Sequence, residues 1–341
     1  MSDFLIVGAG RIGMAVAKML LKLGYTVELV DNDFDAVELA RAEGFRTSMS
    51  LDGMSGTYLV NLVGSDNPVD FNYRMFERAI AMNANYFDAS ESQQSAEKLY
   101  AIGHEKATKA GIAVCPMCGL APGWSTSFGH RMLLEYGGKN LKIMVGALPR
   151  IPVNNAKYSL TWSTQGLVNE YTTPGIRVAE GELVEAIPLE GYETLTVAGI
   201  PMEAFYTSGG IGTLPYVWGI GEQIVNIEYK TLRYEGHLEV MRRVLDIARD
   251  EPVQVLDDLL PRTHHDVVYV HIVTDTKSKT WMVKPTEDYG GLTAIQLATA
   301  SGIVAPMMMH KTGNCASTGF LSHDFFDYGK YVQTNVLEEI N

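Results

Sequence analysis

Apolar and polar residues along the first third of the chain follow two alternating periods. Short apolar runs, such as "FLIVGAG" at residues 4–10 and "YTVELVD" at residues 25–31, indicate buried strands. Between these runs, apolar residues recur at helical spacing at Ile12, Val16, Met19 and Leu20. The same alternation of strand and helix continues to "IAVCPM" at residues 112–117. The pattern therefore predicts an α/β fold with a doubly wound parallel sheet.

A glycine motif lies between the first strand and the first helix. Gly8, Gly10 and Gly13 have the GxGxxG spacing that is typical of Rossmann dinucleotide-binding domains. In such a motif Gly8 allows the tight turn, Gly10 lets the main chain approach a pyrophosphate, and Gly13 lets the helix pack closely. The N-terminus of the helix then faces the phosphates. The motif predicts a dinucleotide site.

The end of the second strand indicates which dinucleotide binds. Asp31 lies about 20 residues after the motif, where a carboxylate accepts hydrogen bonds from the adenine ribose hydroxyls. A 2′-phosphate would meet Asp31 and Asp33 with no Lys or Arg before Arg41. The sequence therefore predicts NAD as the cofactor. Asp33 is also expected to cap the following helix.

Further cofactor contacts are expected where the parallel strands end. Asp88 ends the strand "NYFDAS", where it either contacts cofactor or substrate or caps the next helix. Cys115 and Cys118 have CxxC spacing, but they end an apolar strand instead of opening a helix, so we interpret them as structural. The predicted cofactor-binding residues are Gly8, Gly10, Arg11, Ile12, Gly13, Asp31, Asn32, Val63, Gly64, Ser90, Cys118 and Gly119.

The pattern changes near residue 120. Long segments rich in Val, Thr and Tyr, such as "LKIMVGALPR" and "DVVYVHIVTD", predict a second α/β domain on a mixed or antiparallel sheet. A late helical pattern, "TAIQLATASGIVAPMMMH", is expected to return the chain to the first domain. We therefore predict a Rossmann domain of residues 1–122, joined by residues 305–341, and a substrate-binding and dimerisation domain of residues 123–304.

Composition and charge exclude several classes of partner. Hydrophobic residues make up 46% of the chain and charged residues 20%, which is typical of a soluble globular protein. The net charge of -13 repels phosphate backbones, so we expect no nucleic-acid partner. No apolar run reaches the roughly 18 residues of a membrane span, and the N-terminus does not resemble a signal peptide. With only three cysteines, the sequence favours the cytoplasm.

Histidines do not form a recognisable metal motif. His264 and His265 are adjacent on a predicted strand, so their side chains point to opposite faces. His271 follows without a carboxylate or thiol at metal-site spacing. We expect no metal site.

Five motifs in a fixed order resemble the saccharopine dehydrogenase family. They are the GxGxxG turn, "YFDAS", "CGLAPGW", "WSTQGLVNEY" and "KTLRYEGH", which together span nearly the whole chain. The length and the "GLAPG" turn are most similar to the lysine 6-dehydrogenase branch, whose members oxidise the ε-amine of L-lysine with NAD. The resemblance implies a Rossmann domain, a second domain that binds an amino-acid substrate, and a homodimer or larger homo-oligomer.

The resemblance also implies roles for residues of the second domain. Arg233 lies on the family's "LRY" motif, which faces the substrate in relatives, and its planar fork suits a carboxylate. Tyr234 and His237 flank it as candidate proton carriers, although Tyr234 alternatively belongs to the core and His237 caps a helix. With Asp88, these are the candidate catalytic residues. Ala121 stands where saccharopine-forming relatives carry an acidic residue, which weakens a saccharopine assignment.

The expected function is NAD-dependent oxidation at the C–N bond of an amino acid. The first expectation is oxidative deamination of the ε-amine of L-lysine, with an aldehyde product that cyclises onto the α-amine. Reductive condensation of an amine with a carbonyl acid, of the saccharopine or carboxynorspermidine type, is the alternative enzyme activity. The alternative outside the enzymes is a non-enzymatic binding protein that senses NAD(H).

Overall fold

A computed structural model describes residues 2–64, 69–217, 224–322, 326–330 and 336–340. The chain divides into two compact units. The first unit contains Met1–Trp124, Glu287–Leu292 and Thr299–Val332, and the second contains Ser125–Thr286, Thr293–Ala298 and Gln333–Asn341.

The first unit is built on a parallel sheet. Its strands, numbered in chain order, are β1 (Ser2–Val7), β2 (Val27–Val30), β3 (Arg46–Ser48), β4 (Gly56–Asn61), β5 (Asn85–Asp88), β6 (Ala113–Cys115) and β15 (Gly319–Phe320). Their order in the sheet is β15-β6-β5-β4-β1-β2-β3, and every pairing is parallel. The predicted doubly wound sheet is confirmed.

Helices connect these strands. They are α1 (Arg11–Lys22), α2 (Phe34–Ala42), α3 (Val69–Met82), α4 (Gln93–Lys98) and α5 (His104–Ala110), with a π-helical turn at Leu99–Gly103. Asp33 caps α2, as predicted, because its carboxylate accepts a hydrogen bond from the Asp35 amide at 2.9 Å. Leu5, Leu59, Phe76 and Val114 are buried in one hydrophobic cluster between sheet and helices, which fixes the strand ends relative to each other.

The second unit is built on a mixed sheet. Its strands are β7 (Asn140–Pro149), β8 (Gly175–Ala179), β9 (Glu182–Ala186), β10 (Glu193–Val197), β11 (Ile200–Phe205), β12 (Asn226–Tyr234), β13 (Asp266–Thr274), β14 (Ser278–Val283) and β16 (Glu338–Ile340). The main order is β10-β11-β12-β7-β13-β14-β16, with β8 pairing β12 and β9. Strands β12 and β7 pair in parallel, and the other pairs are antiparallel. The predicted mixed sheet is confirmed.

Helices pack on this sheet. They are α6 (Ser125–Tyr136), α7 (Thr164–Thr172), α8 (Leu214–Val217), α9 (His237–Ala248) and α10 (Pro252–Leu259). Tyr158, Leu232, Leu238 and Met241 share a buried cluster. The buried carboxylate of Glu203 accepts from the main-chain N–H groups of Gly236 and Leu238, so it holds the start of α9 against β11.

The late helix differs in part from its predicted domain assignment. Helix α11 (Ala294–Lys311) forms as predicted, and the division between the units falls between its residues Ala298 and Thr299. The prediction that all of 305–341 joins the first domain is wrong, because β16 (Glu338–Ile340) pairs with β14 in the sheet of the second unit. Within the described residues, no helix has the length and apolar character needed to cross a bilayer.

Candidate functional site

The glycine turn of the first unit is tight for steric reasons. Gly8 has a φ of +106°, and a Cβ there would lie 2.8 Å from the Leu62 carbonyl oxygen. A Cβ on Gly13 would lie 1.9 Å from the carbonyl oxygen of Gly8, so α1 packs directly on the turn. Both positions therefore require glycine. At Gly8 the positive φ and the nearby carbonyl oxygen both disfavour a side chain, and at Gly13 the close contact alone does so.

Gly10 differs from its two neighbours in the motif. Its φ is -72°, which any residue adopts, and a Cβ built on it meets no atom of the described residues within 4 Å. It is the N-cap of α1, and no side chain in the described part of the chain caps that helix. Arg11, exposed, and Ile12, partly buried, follow in the first turn. The helix N-terminus thus offers amides and free space to an anion, which fits a dinucleotide pyrophosphate.

Asp31 ties the glycine turn to the end of β2. Its Oδ2 accepts a hydrogen bond from the Ala9 amide at 2.8 Å, and its Oδ1 accepts from the Asp33 amide at 3.0 Å. A carboxylate accepts about four hydrogen bonds, so acceptor capacity remains for ribose hydroxyls. Asn32 beside it is exposed. These are the features of an NAD-binding Rossmann domain.

The ends of β4, β5 and β6 meet at one edge of the sheet, as the sequence predicts. Asp88 is fully buried, and its Oδ1 accepts from the amides of Ser90 at 2.9 Å and Met117 at 3.1 Å. The Cys118 amide donates to the Asp88 carbonyl oxygen at 2.7 Å. The alternative that Asp88 caps the next helix is wrong, because the Ser92 hydroxyl caps α4. Asp88 instead joins two strand ends.

A buried polar network underlies this edge, and the sequence does not predict it. Asn61 donates through Nδ2 to Asn72 Oδ1 at 2.7 Å and to the Tyr86 hydroxyl at 3.3 Å. Asn72 donates to the Ser90 hydroxyl at 2.9 Å, and the Val63 amide donates to Asn61 Oδ1 at 3.4 Å. The only signal in the sequence is an Asn at the end of an apolar strand. Through this network Val63 and Ser90 have fixed positions.

Three further predicted residues line the same part of the first unit. Val63 lies against the glycine turn, because a Cβ on Gly8 would approach its amide nitrogen to 3.1 Å, and Gly64 after it is exposed. Gly119 is packed against α11, since a Cβ on Gly302 would lie 1.8 Å from the Gly119 carbonyl oxygen. The close approach of α11 to this turn explains the glycine at 302.

The two cysteines at this edge are buried thiols. Cys115 and Cys118 are both fully buried, with their sulfur atoms 3.5 Å apart. Burial raises the pKa of the Cys115 thiol, so the thiolate needed for redox chemistry or metal binding is disfavoured. Among the residues that the structure describes, no three His, Cys, Asp or Glu side chains are grouped so as to hold a metal ion.

Arg233 lies in a buried cluster of the second unit. Its Nη2 donates to Glu170 Oε2 at 3.1 Å, its Nε to the Tyr171 hydroxyl at 2.8 Å, and its Nη1 to the Leu232 carbonyl oxygen at 3.0 Å. Its guanidinium lies over the Tyr158 ring, 4.9 Å from the centroid. The fork that the sequence assigns to a substrate carboxylate is therefore occupied by groups of the same unit.

Hydrogen-bond partners determine which atoms of this cluster donate and which accept. His237 Nδ1 lies 2.7 Å from the carbonyl oxygen of Ala156, which only accepts, so this nitrogen carries the proton. Burial, reinforced by Arg233, lowers the pKa of His237 to about 3, so the ring is neutral and its Nε2 accepts from the Tyr171 hydroxyl at 2.8 Å. The Tyr171 oxygen in turn accepts from Arg233. The hydrogen bonds therefore run in one direction, from Arg233 through the Tyr171 hydroxyl to His237 and on to the Ala156 carbonyl oxygen.

Tyr234 is not part of this cluster. Adjacent residues of a strand point to opposite faces, and the Tyr234 hydroxyl donates to the Pro149 carbonyl oxygen at 2.8 Å. It packs in the core with Leu232 and Met241, which agrees with the alternative reading of this residue. His237 is the first residue of α9, and Gly236 occupies the N-cap, so His237 does not cap the helix.

Glu170 is the cluster residue that the sequence does not predict. Its side chain is 14% exposed, whereas that of Arg233 is 3% exposed. Burial raises the pKa of Glu170 to about 7, although Arg233 acts in the opposite direction. Glu170 thus combines a near-neutral pKa with partial access to solvent, the combination expected of a proton-transfer group.

Comparison with known families assigns the chain to one of them. The model of the saccharopine dehydrogenase C-terminal domain matches residues 119–341, which include Glu170, Arg233 and His237. The chain belongs to the saccharopine dehydrogenase C-terminal domain family. The TrkA-N domain matches residues 4–62, which contain the glycine turn and Asp31.

Solved structures of the same fold include saccharopine dehydrogenase (L-Glu forming) from Saccharomyces cerevisiae. It matches with a TM-score of 0.71 and 14% identity over 100% of this chain and 99% of its own. Homospermidine synthase from Legionella pneumophila, in complex with NAD, matches with a TM-score of 0.68 and 11% identity over 97% of this chain and 88% of its own. These likenesses show that this member of the family shares their fold.

Proposed function

We propose that the protein is an NAD-dependent oxidoreductase that oxidises the C–N bond of an amino acid. The most specific form of the proposal is oxidative deamination of the ε-amine of L-lysine, with cyclisation of the product aldehyde. The observation that carries the NAD-dependent part of the proposal is the space left at Gly10 by the described residues, beside the fixed carboxylate of Asp31. Membership of the saccharopine dehydrogenase C-terminal domain family supports an amino-acid substrate.

Charges around Asp31 support NAD over NADP. Between Asp31 and the end of β3, the only cationic side chains in the sequence are Arg41 and Arg46. Arg41 pairs with Glu38 on α2, and Arg46 begins β3 at the end of the strand remote from Asp31. A 2′-phosphate next to Asp31 would be repelled without a compensating cation.

Cofactor preference is tested by titrating the protein with NADH and NADPH. We expect NADH to bind at least tenfold more tightly, which corresponds to about 1.4 kcal/mol. Asp31→Ala should narrow that ratio by weakening NADH binding. Equal affinities in the unmodified protein would mean that Asp31 does not contact the ribose.

Residues of the chain have distinct roles in this proposal. Bound NAD would supply the acceptor for a hydride from the carbon that bears the amine, and water would hydrolyse the resulting imine. Asp88 and Ser90 hold the main chain at the ends of β5 and β6 and position the cofactor. Arg233 is a positioning residue because its nitrogen atoms are engaged with Glu170, Tyr171 and Leu232. The second unit is also proposed to mediate homodimerisation.

Reductive condensation is the second candidate. The likeness to saccharopine dehydrogenase (L-Glu forming) and homospermidine synthase favours it. One assay separates the two: L-lysine with NAD, against L-lysine with 2-oxoglutarate and NADH, both followed at the NADH absorbance. NADH formation in the first mixture supports deamination, and NADH consumption that requires the oxo acid supports condensation. Tight NADH binding without turnover of any amine or amino acid would favour a sensor.

A further inference from the structure

The ion pair between Glu170 and Arg233 is asymmetric. Glu170 lies in the last turn of α7 and keeps the larger exposed fraction, whereas Arg233 on β12 is almost fully enclosed. Arg233 contacts Glu170 through Oε2 alone. Across the part of the chain that the structure describes, no donor contacts Oε1 of Glu170. One oxygen of the carboxylate is therefore held in place and the other is open to a ligand.

Arg233 itself offers little to a ligand. Its remaining nitrogen atoms donate to Tyr171 and Leu232, and Tyr171 is held in turn by His237. An incoming carboxylate would also meet the Glu170 carboxylate first, because that group is the more exposed member of the pair. Because the negatively charged Glu170 is the more accessible member of the pair, the cluster favours a cationic ligand over an anionic one.

Aromatic side chains lie around the Arg233–Glu170 pair, because the Arg233 guanidinium is 4.9 Å from the Tyr158 ring centroid and 5.6 Å from that of Tyr171. Trp162 lies across Gly166, where a Cβ would come within 2.3 Å of the indole ring. Gly166 and Glu170 are four residues apart on α7, so Trp162 and Glu170 lie along the same helix face. The Trp162 indole donates to the Tyr158 hydroxyl at 3.2 Å, which fixes the ring. A carboxylate beside aromatic rings suits an ammonium group on an alkyl stem.

We propose that Glu170 binds the reacting ammonium group of the substrate through Oε1 and accepts its proton. This inference rests on the proposed function and identifies the part of the substrate that the second unit recognises, a primary alkylammonium. The proton moves from nitrogen to Oε1, which leaves a neutral amine and a neutral carboxyl group. The nitrogen lone pair is then free to form the imine as hydride leaves.

The near-neutral pKa of Glu170 makes binding visible as proton release. Burial raises the pKa of Glu170 to about 7, so part of the Glu170 side chains carry a proton near neutral pH, and a bound ammonium favours the carboxylate. The number of protons released per bound ligand should therefore fall as the pH rises from about 5 to about 9. Calorimetry of L-lysine binding to the NADH-loaded protein, in buffers of different ionisation enthalpy, measures this number without turnover.

Two ligands and two variants make the test specific. Glu170→Gln should abolish the proton release and weaken L-lysine binding at least tenfold, because a charge-assisted hydrogen bond is lost. Binding of L-norleucine, which lacks the ε-amine, should be unchanged by the same substitution. Glu239→Gln removes a carboxylate from an exposed ion pair with Arg243 and is the matched control, expected to bind L-lysine normally.

The outcomes separate this inference from the proposed function. If Glu170→Gln weakens L-lysine and L-norleucine equally, or leaves proton release intact, Glu170 does not bind the ε-ammonium. If release depends on Glu170 but no amino acid is oxidised, the ammonium site stands and the proposed activity fails.

Discussion

The glycine turn of the first unit and the Arg233 cluster of the second are built from different parts of the chain. In the turn, main-chain amides and free space at Gly10 face outward, and the single carboxylate of Asp31 is held by main-chain N–H groups. In the cluster, side chains hold other side chains, and Glu170 carries the open acceptor. The glycine turn depends on positions that lack a side chain. The Arg233 cluster depends on the identity of the side chains that form it.

This difference determines how each region responds to substitution. A turn made of main chain tolerates most changes except the addition of a Cβ at a contact point. A buried cluster of charges and hydrogen bonds loses stability when one member is removed, because the partner is left buried and unpaired. The predictions below use substitutions that separate these two behaviours.

Arg233→Met should have the largest effect on stability. It leaves Glu170 without its cation and the Tyr171 oxygen without its donor, so we expect the second unit to lose about 3 to 5 kcal/mol of unfolding free energy. Urea unfolding followed by tryptophan fluorescence measures the loss. Arg243→Met, which breaks an exposed pair with Glu239, is the control and should leave stability unchanged. Equal unfolding free energies of the two variants would show that the buried Arg233 cluster contributes no more to stability than an exposed ion pair.

Gly13→Ala should have the next largest effect, in the first unit. The new methyl group would lie 1.9 Å from the Gly8 carbonyl oxygen, and main chain cannot move aside cheaply, so a loss of about 3 kcal/mol is expected. Gly103→Ala is the matched control, because its Cβ would meet Leu99 and Phe76 at an ordinary 3.7 Å. If both alanines are tolerated equally in thermal unfolding, close packing does not explain Gly13.

The turn is predictable from the sequence because its determinants are local. Gly8, Gly10, Gly13 and Asp31 lie within a single βαβ unit, and their spacing alone implies their contacts. The cluster is only half predictable. Arg233 and His237 are four residues apart in the sequence and do meet through a shared Tyr171, but Glu170 and Tyr171 come from α7, more than 60 residues upstream. No periodicity in α7 indicates which strand it packs on.

Tyr234 illustrates a rule that the sequence does contain. Neighbouring strand residues face opposite sides of a sheet, so Arg233 and Tyr234 are not expected to share a site once "TLRY" is recognised as a strand. The resemblance groups them because they are adjacent in a motif. Strand alternation separates them, and the structure follows the alternation.

Gly10→Val should affect binding more than stability. No atom of the described residues lies within 4 Å of the new Cβ, and the φ of -72° suits valine, so only the loss of a favourable N-cap residue is expected, about 1 kcal/mol of unfolding free energy. The branched side chain would fill the space intended for a pyrophosphate, and NADH affinity should fall at least a hundredfold, about 2.7 kcal/mol. Fluorescence titration with NADH measures it. Unchanged NADH affinity would move the dinucleotide site away from α1.

Glu170 and His237 should have opposite and nearly cancelling effects on the pH dependence of stability. The folded pKa of Glu170 is raised to about 7 from an ordinary 4.5, so its contribution is present below pH 4.5 and is lost as pH rises through 7. The folded pKa of His237 is lowered to about 3 from 6.5, so its contribution is present above pH 6.5 and is lost as pH falls. Between about pH 4.5 and 6.5 the two slopes have opposite signs.

Single substitutions should therefore reveal slopes that the unmodified protein conceals. In Glu170→Gln the remaining His237 should make stability fall with decreasing pH, by up to about 1.4 kcal/mol per pH unit relative to the unmodified protein. In His237→Gln, whose amide can still donate to Ala156 and accept from Tyr171, stability should instead fall with increasing pH by a similar amount. Urea unfolding at several values between pH 5 and 6.5 gives both difference curves. Parallel curves for all three proteins would mean that neither group changes its protonation on folding in this range.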